Sequence, residues 1–215
     1  MRVVKSTLCI LTQIGDLKMI VNIRGTNGAG KSTIPMQMME LDPDFEVIKL
    51  GIGKNGQPCK PAITVFHKLK WVALGTYFNK TGGMDTYGGN DDAKLALKYV
   101  LENYPEYDIL MEGFIVSGIQ STYGEIFHSL ENDGHQVLVI AFLPPFEVCL
   151  ERVYKRNGNK PIKEKNVLSK WRAVVRSVEY FRNEGFDVLR IDNSKCPKEK
   201  MLKNFLKTVE KHRRK

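Results

Sequence analysis

The chain has 215 residues, of which 42% are hydrophobic and 27% charged, and a formal net charge of +9. That length suits one domain with a lid or small insertion, and the composition excludes fibrous, collagenous and disordered classes. No stretch is apolar for long enough to read as a membrane span.

The charge is unevenly spread. Residues 152–176 hold nine Lys or Arg against Glu164, and residues 195–215 hold nine more against Glu199 and Glu210, so the rest of the chain is mildly acidic. Two basic segments on such a body point to phosphate-rich partners, nucleotide or nucleic acid. A solvated helix face and a loose C-terminal tail are the plainer reading of the same pattern. Cys9, Cys59, Cys149 and Cys196 are widely spaced, with no C-x-x-C pair and no histidine at zinc-ligand spacing. Free thiols in a reducing, intracellular compartment are therefore expected.

In chain order, residues 1–17 start with Arg2 and Lys5 before an apolar run. Thr12, Gln13 and Asp16 interrupt that run, so the segment reads as an extension and not a signal peptide, with the folded domain over 18–215. Residues 18–24 (KMIVNIR) form a buried-strand pattern directly before a Gly-rich turn. A helix is expected over 31–40, kinked or irregular at Pro35, then a strand over 45–50. Residues 61–67 and 70–77 are rich in β-formers and are expected to pair as an antiparallel hairpin insertion. The Gly-rich stretch 81–90 leads into a helix capped by Asn90 or Asp91 and running to about Asn103. A strand follows over 107–111, ending at Glu112-Gly113, and Thr122 with Glu125 is expected to form a capping box. A strand over 137–143, a Pro-led helix to about Gly158, a helix over 166–184, a strand over 187–191 and a helix over 198–211 complete the pattern. Strands alternating with helices imply an α/β fold with a mostly parallel sheet covered on both faces, a three-layer sandwich.

Gly25-Thr26-Asn27-Gly28-Ala29-Gly30-Lys31-Ser32, followed by Thr33, matches G-x-x-x-x-G-K-[ST] in full, the Walker A pattern, with a strand before it and a helix after. Its glycines let successive backbone N–H groups face phosphate oxygens. In that setting Lys31 reaches the β- and γ-phosphates of ATP, and Ser32 ligates Mg²⁺. The loop alone leaves kinases, GTPases and motor ATPases open. A guanine clamp N-K-x-D is not met by Asn79-Lys80-Thr81-Gly82, and the strand that would end in a Walker B aspartate ends in Glu112. Glu112 is a candidate to accept the proton of an attacking hydroxyl or to hold Mg²⁺ through water; a structural role is the alternative. Arg152 and Arg156, at i and i+4, share a helix face and suit a basic lid over about 152–170 that closes on the transferring phosphoryl group. The glycines around Asp85 and Tyr87 suggest a loop kept open for a ligand, Asp85 binding a hydroxyl or base edge and Tyr87 stacking on a base. A mobile surface loop is the alternative.

The combination resembles the P-loop nucleoside and nucleotide kinase superfamily, in residues 25–33, the strand-end Glu112, FLPPFEVCLERVYKRNG over 142–158 and DVLRIDNS over 187–194. The region GGMDTYGG followed by EGFIVSG departs from the helical segment and D-R motif of nucleoside monophosphate kinases. It looks more like phage-encoded kinases that phosphorylate 5-hydroxymethyluracil within DNA. That resemblance implies an ATP- and Mg²⁺-dependent enzyme acting on DNA in the host cytoplasm, with the acceptor hydroxyl near Glu112 and the base read by Asp85 and Tyr87. A kinase of free deoxynucleoside monophosphates, a nucleotide-binding ATPase or regulatory module, and a DNA-binding protein with a vestigial loop are the alternatives.

Overall fold

The structure is a computed structural model. It describes residues 18–53, 56–78, 82–113 and 120–213, the last stretch without the side chains of 120–122. The N-terminal extension, the Asn79–Thr81 part of the incomplete guanine clamp and most of EGFIVSG fall outside these residues.

Among the described residues, seven strands form one sheet in the order β2-β3-β4-β5-β1-β6-β7. They are β1 (Met19–Arg24), β2 (Glu46–Ile52), β3 (Pro58–Phe66), β4 (Trp71–Leu74), β5 (Asp108–Glu112), β6 (Gln136–Phe142) and β7 (Asp187–Ile191). Only β3 runs against the others: it pairs antiparallel with β2 and β4, and every remaining pair is parallel. The expected hairpin is β3 and β4, closing at Phe66 opposite Trp71. It continues the main sheet because β4 also pairs with β5. β1 and β6 are buried at every position, as central strands covered on both faces must be.

The helices are α1 (Thr33–Leu41), α2 (Asn90–Asn103), α3 (Gln120–Asn132), α4 (Phe146–Arg156), α5 (Glu164–Asn183) and α6 (Met201–His212). Ala96, Leu97 and Val100 of α2, Tyr123 and Phe127 of α3 and Phe181 of α5 pack against Ile20, Ile109 and Val139 on one face of the sheet. Ile34 and Met38 of α1 and Leu202 and Phe205 of α6 pack against Val21, Leu110 and Ile140 on the other. The result is the expected three-layer sandwich.

Four local expectations change. Because α1 starts at Thr33, Pro35 lies in its first turn, where its missing N–H removes no internal helix bond. Helix α2 begins at Asn90 with Gly89 as its N-cap and no side-chain cap bond. Helix α3 begins at Gln120, so Thr122 lies inside its first turn and not at the cap. At the C-terminus, Arg213 is no loose tail residue: it pairs with Asp108 at the start of β5.

Candidate active site

The register of the central strands sets Glu112 opposite Ile23, one residue before the end of β1. The phosphate loop leaves β1 there, so the last residue of β5 sits at its root. This is the carboxyl edge of a parallel sheet, where such folds bind ligands.

Within the loop, Gly28 and Gly30 have φ of +80° and +90°, a region glycine enters without steric cost. A Cβ on Gly28 would lie 2.3 Å from the carbonyl oxygen of Cys149 in α4. The glycine is thus required by close packing as well as by the turn. Ala29 is buried, and its amide donates to the Thr26 carbonyl at 3.1 Å. Thr26 in turn donates from Oγ1 to the carbonyl of Val167, at 3.2 Å, tying the loop to α5. Asn27, Gly28, Gly30, Lys31, Ser32 and Thr33 line an open cleft of about 690 Å³. Gly25 forms the tight exit from β1, where a Cβ would come 2.9 Å from that of Ala29.

Lys31 is buried, with Nζ 3.6 Å from Glu112 Oε1 and 3.5 Å from the carbonyl of Thr26. Ser32 Oγ lies 3.4 Å from the same carboxylate oxygen. Glu112 is 2% exposed, and its Oε2 has no hydrogen-bond partner among the described residues. Burial pushes its pKa up, while the Lys31 charge pulls it back and the charge of Asp85 adds to the rise. One serine hydroxyl and one carboxylate with an unused buried oxygen, beside a lysine, form a hard-oxygen set that fits Mg²⁺ and a triphosphate.

Arg152 and Arg156 both line the cleft, as their helical spacing implies, but in different ways. Arg156 is exposed at the rim. Arg152 is half-buried and braces the loop: Nη1 donates to the Gly28 carbonyl at 3.3 Å and Nη2 to the Asn193 carbonyl at 3.2 Å. Asn193, which sequence reasoning did not select, is buried beneath the loop, and its Nδ2 donates to the Ala29 carbonyl at 2.8 Å. Lys170 of α5 and Lys198, each a member of one of the two basic segments, also line the cleft.

The Gly-rich stretch is tightly packed at Gly82 and Gly83, while Gly88 is exposed and Gly89 lies in open surroundings. Gly83 has φ of +62°, its amide donates to the Thr76 carbonyl at 2.9 Å, and a Cβ there would lie 2.3 Å from the Glu112 carbonyl oxygen. This close approach carries Asp85 to the cleft wall opposite the phosphate loop. Tyr87 corrects the expectation of a stacking platform. It is a core residue, packed with Ile63, Leu74 and Ala93, and its hydroxyl donates to the Ala62 carbonyl at 2.7 Å. Asp85 and Tyr87, two residues apart, have opposite fates: in the short 3₁₀ turn at Met84–Thr86 Asp85 stays half-buried at the cleft, while Met84 before it and Tyr87 after the turn are buried.

The family model for 5-hmdU DNA kinase matches residues 9–189. The chain belongs to the 5-hmdU DNA kinase family. Over 180 residues it is 44% identical to the 5-hmdU DNA kinase of Bacillus phage SP10, an alignment covering 81% of this chain and 27% of that protein. It therefore spans little more than a quarter of the length of that relative. It is 33% identical over 162 residues to the 5-hmdU DNA kinase of Pseudomonas phage M6, covering 73% of this chain and 81% of that one. Among solved structures, the YorR protein of Bacillus subtilis in complex with phosphorylated GDP aligns at a TM-score of 0.49 and 13% identity, over 91% of this chain and 99% of that one. The span matched by the 5-hmdU DNA kinase family holds the phosphate loop, Asp85, Glu112 and both arginines, and stops short of Asn193. Among the described residues, no helix is long and apolar enough to cross a membrane.

Proposed function

We propose that this chain is an ATP-dependent kinase that transfers the γ-phosphoryl group to the 5-hydroxymethyl group of hydroxymethyluracil in DNA. The observation that carries this reading is Glu112, a buried carboxylate with a free oxygen, 3.4 Å from Ser32 Oγ and 3.6 Å from Lys31 Nζ. Membership of the 5-hmdU DNA kinase family and the phage origin of its relatives support the acceptor and an action in the host cytoplasm.

The loop amides and Lys31 hold the phosphates of ATP, and Ser32 would hold Mg²⁺, with Glu112 near enough to reach it through water. When bound there, Mg²⁺ would neutralise charge on the triphosphate. Asp85 orients the acceptor from across the cleft. Its hydroxyl oxygen bonds to the γ-phosphorus as the bond to the β,γ-bridging oxygen breaks, and ADP leaves. Glu112 takes the hydroxyl proton directly or through water. Arg156, at the rim, and Arg152, from the loop side, offset the negative charge of the transferring group. The exposed turn 157–163, with Gly158 and Asn159 at positive φ, acts with the adjoining ends of α4 and α5 as the lid.

The test uses γ-labelled ATP with two matched duplexes, one carrying hydroxymethyluracil and one thymine, and free deoxynucleoside monophosphates alongside. Label on the hydroxymethylated duplex alone is expected. Label on a monophosphate overturns the DNA acceptor, and release of inorganic phosphate alone overturns the kinase.

A further inference from the structure

The basic stretch over 152–176 divides into two groups once it is wound into helices. Arg152, Arg156 and Lys170 line the cleft. Lys165, Arg172 and Arg176 do not. On α5, residues seven and eleven positions apart fall within about 20° of one line, so these three share a face, while Lys170 lies about 140° around the helix. All three are exposed, opposite the buried Val167, Val174 and Val178. Among the described residues none of the three makes an ion pair, in contrast to Lys155 with Glu151 and Arg213 with Asp108.

Position singles out this stripe. Its upper end adjoins the cleft, since Val167 accepts the bond from Thr26 of the phosphate loop. Helix α5 also packs, through Phe181, on the sheet face that carries Met84 and Tyr87, on either side of Asp85. Helix α3, which shares that face, carries Glu125 and Glu131 and no lysine or arginine, and repels phosphate. The lysines of α6 stand on the opposite face, beside α1.

We infer that Lys165, Arg172 and Arg176 form a stripe that holds the backbone of duplex DNA beside the acceptor base. Eleven residues of helix rise about 16 Å, roughly five nucleotide steps at 3.4 Å each, so three cations can meet phosphates of one strand. Two arginines suit this task because their forked donors match phosphate oxygens. The inference rests on the DNA-kinase reading above.

The experiment compares the wild type with the Arg172→Ala/Arg176→Ala variant, which leaves the lid intact, and with Lys203→Ala/Lys207→Ala on α6. Affinity for a hydroxymethylated duplex is measured across a salt series, and phosphoryl transfer on that duplex and on a hydroxymethyluracil trinucleotide. The α5 variant is expected to lose about 1.8 from the slope of log affinity against log salt, near 0.9 per lost contact. Its KM for the duplex rises with kcat unchanged, and its activity on the trinucleotide is untouched. The α6 variant keeps the wild-type slope. An α5 variant with wild-type slope and KM overturns the stripe while leaving the kinase reading intact. A larger loss in the α6 variant than in the α5 variant also overturns it. A wild type that phosphorylates neither duplex nor trinucleotide sinks the kinase reading, and the inference with it.

Discussion

Asn193 donates from Nδ2 to the carbonyl of Ala29 at 2.8 Å, linking the end of β7 to a phosphate loop 164 residues earlier in the chain. The same amide accepts from Arg152 Nη1 through Oδ1 at 3.3 Å. Only a side chain that donates and accepts at once can serve a carbonyl on one side and a guanidinium on the other. The loop is therefore shaped from beneath by α4 and β7 as well as by its own glycines.

Replacing this residue separates the two bonds. Asn193→Asp keeps an acceptor for Arg152 but sets a second acceptor against the Ala29 carbonyl. We expect a stability loss of about 1–3 kcal/mol, the range for a buried acceptor left without its donor. The KM for ATP should rise more than the KM for the acceptor. Urea denaturation and steady-state titration of both substrates measure this, and an unchanged KM for ATP would show that the loop keeps its shape unaided.

Much of this was legible because the decisive signals are local. The strand-loop-helix context of Gly25–Ser32, the alternation of strands and helices and the strand-ending Glu112 are each contained in short windows, and each was found where expected. Asn193 was not found, because its partners lie at Ala29 and Arg152 and no periodicity reports such a separation. Tyr87 misled for a related reason. Glycines around an aromatic residue look the same whether they hold a loop open or let it pack close. The deciding facts, the Ala62 carbonyl that receives the hydroxyl and the Glu112 carbonyl that crowds Gly83, come from β3 and β5.

Gly28 and Gly185 provide a controlled pair. Both have positive φ, +80° and +87°. A Cβ at Gly28 meets the Cys149 carbonyl oxygen at 2.3 Å, whereas one at Gly185 meets nothing within 4 Å. Gly185→Ala should lose only the conformational term, about 1–2 kcal/mol, and bind ATP as before. Gly28→Ala should lose more than that and weaken ATP binding, because a backbone carbonyl cannot yield without moving α4. Equal stability losses in the two variants would remove close packing as the reason for Gly28.

Tyr87 and Asp85 should part company under mutation. Tyr87→Leu keeps an apolar core residue but removes the ring and the bond to Ala62, for a loss of about 2 kcal/mol with no change in KM for the acceptor. Asp85→Ala should raise that KM. Thermal denaturation with acceptor titration tests both, and a raised acceptor KM in Tyr87→Leu would restore the stacking role to the ring.

The pH profile tests Glu112 most directly. A general base works in its ionised form, so activity should fall on the acid side as Glu112 takes up a proton. Burial raises its pKa in the free enzyme, so the acid limb of kcat/KM should lie above the ordinary carboxylate value of about 4.3. The charge of Asp85 contributes to that rise, and a like charge disfavours ionisation, so Asp85→Asn should move the limb to lower pH. Glu112→Gln cannot accept the proton at any pH; its kcat should drop about 10²–10⁴-fold and lose the limb altogether. The measurement is kcat/KM for ATP and for the hydroxymethylated duplex between about pH 4.5 and 8, spanning the carboxylate range and its upward shift. A Glu112→Gln enzyme that retains the wild-type acid limb would move the proton acceptor to another group and leave Glu112 to the metal alone.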